Sequence, residues 1–194
     1  MKLDLQALAR SIFTICSKKC ISIDIQWIPR SENTKADYIS KIVDHEDWGV
    51  TCEFFEFIDN MWGPHTIDRF ANSGNTKVRR FNSRYWNPSS ESVDAFTQHW
   101  GVDNNWLVPP IYSVLRTIKH LLFCKARGTL IVLRWPSAPY WPFIFDKHLV
   151  YRNYVTEVIE FKNTNGIYKK GTNDRSIFGA EPFYSPVLVV RFNA

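Results

Sequence analysis

The chain reads as an α/β protein in which a helix-strand-helix piece precedes a sheet-forming part, and three stretches of sequence say so. Thr129-Leu130-Ile131-Val132-Leu133 is a continuous apolar run between Gly128 and Pro136, as in a strand buried on both faces. From Thr66 onward, short apolar segments alternate with turns and a helical pattern, which is how a sheet covered by helices is written in sequence. Ahead of them, residues 3–18 space apolar side chains helically, and residues 21–27 alternate apolar with polar.

The elements follow in order. Leu3, Leu5, Leu8, Ile12 and Ile15 predict an amphipathic helix over 3–18, closed by Lys18-Lys19. Ile21, Ile23, Ile25 and Trp27, separated by Ser22, Asp24 and Gln26, predict a half-buried strand with Asp24 on its wet face. Pro29 stops it for want of an N–H. Asn33 and Thr34 are caps for a helix starting near Lys35, with Asp37 in its first turn at the positive end of the helix dipole.

Asp44-His45-Glu46-Asp47-Trp48 is an acidic link, which gives a domain boundary: 1–43, a linker at 44–50, and 51–194. A second helix is expected over 51–61, from Thr51 to Gly63-Pro64, presenting Phe54, Phe55, Ile58 and Met61 to a core. Strands running into loops are expected at 66–74 and 104–110. A helix of Val114, Leu115, Ile118, Leu121 and Leu122 comes next, and then the 128–136 strand. Segments 154–161 and 186–192 should pair as antiparallel edge strands across a long polar loop.

Composition bounds the function. With 194 residues, 45% of them hydrophobic and 8 Trp among them, the chain has core material for a globular domain and is no linker. No run of about twenty apolar residues and no signal-like start is present. An intracellular chain, cytoplasmic or nuclear, without a membrane partner is therefore expected. Cys16, Cys20, Cys52 and Cys124 lack C-x-x-C spacing, so reduced and mostly buried thiols are expected rather than a zinc site. Residues 1–64 hold 7 Lys/Arg against 10 Asp/Glu and residues 65–194 hold 17 against 9, or −3 and +8. That asymmetry suits a nucleic-acid partner.

Two runs carry family resemblances. Trp27-Ile-Pro-Arg-Ser-Glu-Asn33-Thr-Lys-Ala36-Asp37 resembles the end of the RNase H domain of retroelement polyproteins, where a last strand leads through an N-x-x-A-D turn into the last helix. The resemblance assigns Asp37 as a metal-binding carboxylate. Asp68-Arg-Phe70-Ala71 with Asn72-Ser73-Gly74, then Val93-Asp94-Ala95-Phe96, Trp100 and Pro109-Pro110, resembles the Dam-type N6-adenine methyltransferase-like domain that follows RNase H in DIRS-type, tyrosine-recombinase retrotransposons. The order of the two matches over nearly the whole chain. It implies a Rossmann-like methyltransferase-type sheet after an RNase H-like fragment, with the rest of a polyprotein as partner.

By the same resemblance Asp68, Phe70 and Gly74 would hold S-adenosylmethionine, and Val108-Pro109-Pro110-Ile111 stands at the catalytic Asp/Asn-Pro-Pro-Tyr motif. In that motif the acidic or amide side chain and a backbone carbonyl accept from the adenine amine while the Tyr stacks on the flipped base. Val108 has no acceptor and Ile111 no π-face, so methyl transfer is expected to be lost. Tyr112, one place on, would stack only through a shifted loop. RNase H chemistry needs several carboxylates around two magnesium ions. Asp37 is one, so magnesium belongs to an intact RNase H context only.

Nucleic-acid binding asks less. Lys77, Arg79, Arg80 and Arg84 interleave with Phe81, Tyr85 and Trp86, a mix that neutralises phosphates and stacks bases of DNA or an RNA–DNA hybrid, or else a wet loop with its aromatics tucked inward. Trp135 to Pro142 is either a ligand-binding rim or an aromatic lid on the core. Two further readings stay open: a working S-adenosylmethionine-dependent adenine methyltransferase, and a genomic remnant with no selected function.

Overall fold

Residues 5–29, 31–34, 48–169 and 185–194 are described by the computed structural model of the chain, which divides into the units Met1–Val43 and Asp44–Ala194. In the first unit, helix α1 spans Leu5–Lys19 and ends on Lys18 and Lys19, whose charges suit the negative end of its dipole. None of its residues is buried. The strand expected at 21–27 does not form: these residues have no regular structure, and Ile25 and Trp27 are 86% and 85% exposed. The period-two pattern is present, but a strand needs a ladder partner, and among the described residues it has none. Asp24 is exposed and accepts from Gln26 Nε2 at 3.3 Å. Asp37, Arg30 and the helix expected near Lys35 lie outside the described residues.

The second unit is mixed α/β. Its elements are β1 Gly49–Val50, α2 Cys52–Trp62, β2 Ile67–Asp68, β3 Asn82–Ser83, β4 Ser92–Val93, β5 Asn104–Leu107, α3 Val114–Phe123, β6 Arg127–Leu133, β7 Val155–Phe161, β8 Tyr168–Lys169 and β9 Val187–Asn193. Five strands form the main sheet in the order β2-β5-β6-β9-β7. Strands β2, β5 and β6 are mutually parallel, and β9 runs antiparallel between β6 and β7. A parallel bridge from Asp68 to Phe81 sets the parallel pair β3/β4 beside β2. The 154–161 and 186–192 segments do pair, but only β7 is an edge. β9 is interior because Val187, Leu188, Val189 and Val190 are apolar toward both faces, whereas β7 keeps Thr156, Glu157 and Glu160 in water.

Alternation along the strands sends neighbouring residues to opposite faces. Leu107, Leu130, Val132, Leu188 and Val190 pack with Val114, Ile118 and Leu121 of α3 and with Trp100 and Trp141. Trp106, Val108, Ile131, Leu133 and Val189 pack with Phe54, Ile58 and Trp62 of α2 and with Trp48 and Ile167. Full burial of each aliphatic side chain in these layers contributes about 1.5–3 kcal/mol. Gly128 is required where β5 and β6 touch, since a Cβ there would stand 2.5 Å from the Asn105 carbonyl oxygen.

Three expectations change in detail. Helix α2 is capped by Thr51, whose Oγ1 accepts from Phe54 N and donates to the Gly166 carbonyl at 2.6 Å, but it buries Trp62 rather than Met61, which is 44% exposed. The link does not reach residue 50: Trp48 and Val50 are buried, and β1 pairs with β8. Of the cysteines only Cys124 is buried, while Cys20 and Cys52 are exposed. Among the described residues no helix is long and apolar enough to cross a membrane.

Candidate functional site

The loops after β2 and β5 lie side by side, because these strands are parallel neighbours with Asp68 beside Trp106. The first begins at Asp68, which is buried. Its carboxylate accepts from the amides of Phe70 (3.3 Å) and Lys77 (3.1 Å) of the same loop. Further amides turn inward: Ala71 N donates to the Asn82 carbonyl, Asn72 N to Asn75 Oδ1, and Gly74 N to Asn72 Oδ1 at 2.7 Å. Phe70 packs edge-on against Phe96 and Trp100. Asp68, Phe70 and Gly74 thus brace one turn. With these N–H groups engaged by the protein, the loop does not fit as a cradle for S-adenosylmethionine.

Val108-Pro109-Pro110-Ile111 leaves the carboxyl end of β5. Val108 is buried among apolar side chains, and Pro110 and Ile111 are half-buried. The Pro109 carbonyl accepts from the buried Trp48 indole N–H at 2.9 Å. The Pro110 carbonyl accepts from both the amide and the hydroxyl of Ser113 at 2.9 Å, which starts the turn into α3. Both proline carbonyls of the motif therefore have partners inside the fold. Trp48 was not legible as a site residue. Its one signal is that a tryptophan beside an acidic run has no reason to be wet.

Beneath these loops lies an ion network whose Arg69 and Asp103 are buried and whose Arg80 and Glu91 are exposed. Arg69 donates to Asn105 Oδ1 (2.7 Å), Asn82 Oδ1 (2.9 Å) and Asp103 Oδ2 (3.0 Å), with its guanidinium over the Trp100 ring. Arg80 forks onto Glu91 at 2.6 and 2.8 Å and reaches Asp103 Oδ1 at 2.7 Å. Burial works to raise the Asp103 carboxyl. The hydrogen bonds from Thr66 and Arg80 and the two arginine charges outweigh it and hold the group below its usual range. Arg80, expected at a nucleic-acid surface, is exposed, with its guanidinium paired to Glu91 and Asp103.

The rest of the basic stretch divides. Lys77 is half-buried, with its ammonium 3.6 Å from Cys52 Sγ, and Phe81 is core. Arg79, Arg84, Tyr85 and Trp86 are exposed, Trp86 by 79%. The Arg84 guanidinium lies 5.3 Å from the Tyr85 ring centroid and 5.8 Å from that of Tyr112, which is itself 59% exposed. Tyr112, just past the proline pair, thereby joins the loop after β3. By contrast, the Trp135–Pro142 segment closes the core: Tyr140 is buried and donates to the Leu133 carbonyl at 2.7 Å, and Trp135 is held by Ser185.

Comparison with protein-family models and with curated proteins matches nothing to this chain.

Two other features were hidden in the sequence. His65 is buried, with Nδ1 donating to Asp59 and Nε2 accepting from Thr129 Oγ1 at 2.8 Å. The three have the order of a hydrolase triad, but Thr129 is 1% exposed in mid-sheet, which leaves no room for a substrate. A cleft of about 500 Å³ opens at the amino ends of β5 and β6, away from the loops above. In it Arg191 is paired with Glu157. Among the described residues no three His, Cys, Asp or Glu side chains are grouped as metal ligands.

Proposed function

We propose that residues 44–194 are a Rossmann-like, methyltransferase-type domain of a DIRS-type retrotransposon polyprotein, preceded by an RNase H remnant, that no longer transfers methyl groups and binds nucleic acid. Strand order supports the ancestry. The five-stranded sheet runs β2-β5-β6-β9-β7, and the separate β3/β4 pair meets β2 through the one Asp68–Phe81 bridge, which gives the lateral order β4-β3-β2-β5-β6-β9-β7. Apart from the inserted antiparallel β9, this matches the 3-2-1-4-5-6 order of Rossmann sheets, in which ligands bind outside the carboxyl ends at the switch point between the first and fourth strands. The loops at Asp68 and Val108 flank that point.

The observation that carries the loss of catalysis is Val108, buried among apolar side chains at the acceptor position, beside a Pro109 carbonyl that already accepts from Trp48. Val108 offers no side-chain acceptor, and the neighbouring carbonyl already holds a donor. A target amine would find no side-chain acceptor, at a cost of about 1–3 kcal/mol for the missing bond, and would share the Pro109 carbonyl with the Trp48 indole. Nucleic-acid binding rests on the local cluster of Arg79, Arg84, Tyr85 and Trp86 and not on overall charge. Residues 44–194 hold 17 Lys/Arg against 15 Asp/Glu, only +2, once the acids from Asp44 to Asp59 are counted with their unit.

Calorimetric titration with S-adenosylmethionine should give no saturable heat. Saturable binding together with methyl transfer to adenine-containing DNA would overturn the loss of catalysis. Nucleic-acid binding should weaken with salt along a shallow log–log slope of about two to three, because few phosphates are contacted. Salt-independent binding would count against the cluster.

A further inference from the structure

Independently of the nucleic-acid reading, we infer that the cleft at the amino ends of β5 and β6 binds a small organic phosphate through Arg127 and Arg191. Strand register builds its floor. Asn104 of β5 pairs with Arg127 of β6, and Arg127 with Asn193 of β9, so these three side chains stand in one row on one face of the sheet. The next row holds Trp106, Thr129 and Arg191, and Trp106 belongs to the α2 layer, which puts both rows on the α2 face. Along β6 that face passes from Leu133 and Ile131 through Thr129 to Arg127, from apolar to charged. Trp62 and Pro64, at the end of α2, line the cleft as well. Asn104 ties them to the floor, its Nδ2 donating to the Trp62 carbonyl at 3.1 Å and to the Pro64 carbonyl at 3.0 Å.

The donors of the cleft are largely unspent. Arg127 is exposed, and its guanidinium has no hydrogen bond or ion pair among the described residues; neither has the carboxamide of Asn193. Arg191 lies with its guanidinium 5.9 Å from the Trp62 ring centroid and gives one of its five N–H groups, on Nη1, to Glu157 Oε1 at 2.6 Å. The other Glu157 oxygen accepts from the Trp62 indole at 3.2 Å, so that carboxylate is engaged at both ends. The carboxyl end of α2 brings a partial negative charge, but its Trp62 carbonyl is taken by Asn104. Among the described residues, two arginines and no Asp or Glu line the cleft, and the balance favours an anion.

Volume and donor placement narrow the class. About 500 Å³ is the size of a small-molecule site, larger than a bare inorganic ion needs, and Trp62 and Pro64 offer apolar surface to an organic body. A carboxylate has two coplanar oxygens and is satisfied by one guanidinium fork. Arg127 and Arg191 stand at diagonal positions on neighbouring strands, about 7–8 Å apart at the backbone. A phosphate monoester, with three terminal oxygens and a charge of about −1.5 to −2 at neutral pH, can accept from both guanidinium groups and from the Asn193 amide at once.

Calorimetry and thermal melting of the full chain test this with inorganic phosphate and with adenosine monophosphate, ribose phosphate and glycerol phosphate, each ester beside its parent alcohol. Inorganic phosphate at millimolar concentration should raise the melting temperature. At least one ester should bind about tenfold or more tightly than inorganic phosphate, and its alcohol should not bind. Arg127→Ala should leave the melting of the free protein unchanged, since the guanidinium has no partner to lose, and should weaken ester binding about tenfold or more. Arg127→Lys should recover part of it, as a point charge without the fork. Arg79→Ala, on the exposed loop after β2, should bind as the parent does. Absence of binding by every phosphate, or full affinity in Arg127→Ala, overturns the site. Inorganic phosphate binding as tightly as every ester overturns the organic body of the ligand. An equal loss in Arg79→Ala would mean general attraction of anions to a basic surface, and also overturns it.

Discussion

At the scale of single residues, several buried polar side chains among the described residues are engaged by one another. His65 is the sharpest case. Burial lowers its pKa from the usual histidine value, against the opposing pull of the Asp59 hydrogen bond and charge, so the imidazole is neutral in the native state. Its Nδ1–H donates to Asp59 and its Nε2 accepts from Thr129, an arrangement that protonation of Nε2 destroys. The unfolded chain titrates this histidine near 6.5 and the folded one lower, so between the two values the unfolded state binds more protons. Stability contributed by neutral His65 is therefore complete above about pH 6.5 and is lost as the pH falls below it. The melting temperature should drop between pH 7.5 and 5.5, and in His65→Gln, less stable at pH 7.5, that drop should be visibly smaller. Parallel pH dependences in the two proteins would mean that other groups, the remaining histidines among them, set the acid sensitivity.

At the scale of elements, length decides what can be foreseen. α2, α3, β6 and the β7/β9 pair each offer seven or more residues of regular pattern, and the sequence places them within a few positions. β2, β3 and β4 have two residues each, too few to show any period, and owe their existence to neighbours: Asp68 N to the Arg80 carbonyl, Arg69 N to that of Trp106. The 21–27 pattern misleads in the opposite way, since alternation specifies a face but not a partner. The candidate site was half legible for the same reason. Proline and aspartate motifs can be read locally, whereas the donor that closes Pro109 comes from Trp48, 61 residues earlier, and Arg84 meets Tyr112 only through folding. Helix α3 shows how far a pattern's register can be trusted. Leu121 is fully buried on its sheet-facing side, and Phe123, two residues on, is 80% exposed. Leu121→Ala should cost about 2–5 kcal/mol in urea denaturation. Phe123→Ala should stay within about 0.5 kcal/mol, and comparable losses in both would mean that α3 is packed the other way round.

For the molecule as a whole, the question is which part folds by itself. The unit Asp44–Ala194 carries both apolar layers of its sheet: the α3 layer from Ala95 to Phe192 and the α2 layer from Trp48 to Val189. Its roughly 150 residues are in the size range where a domain buries about two thirds of its unfolded surface and melts in one step. Met1–Val43 is below the size at which a helix and a few short segments usually sustain a core alone. Trp48 belongs to the larger unit, so a cut in the expected linker at residue 50 would remove its indole from Pro109 and open the α2 layer, whereas a cut at 43 keeps it. Calorimetry of residues 44–194 should therefore show a single transition within about 3 °C of that of the full chain, a spread equivalent to well under 1 kcal/mol in a domain of this size. Residues 51–194 should melt lower, by the loss of one buried indole and the β1/β8 ladder, with about 3–5 kcal/mol at stake for the tryptophan alone. Equal melting of the two fragments would show that Trp48 is incidental to the fold.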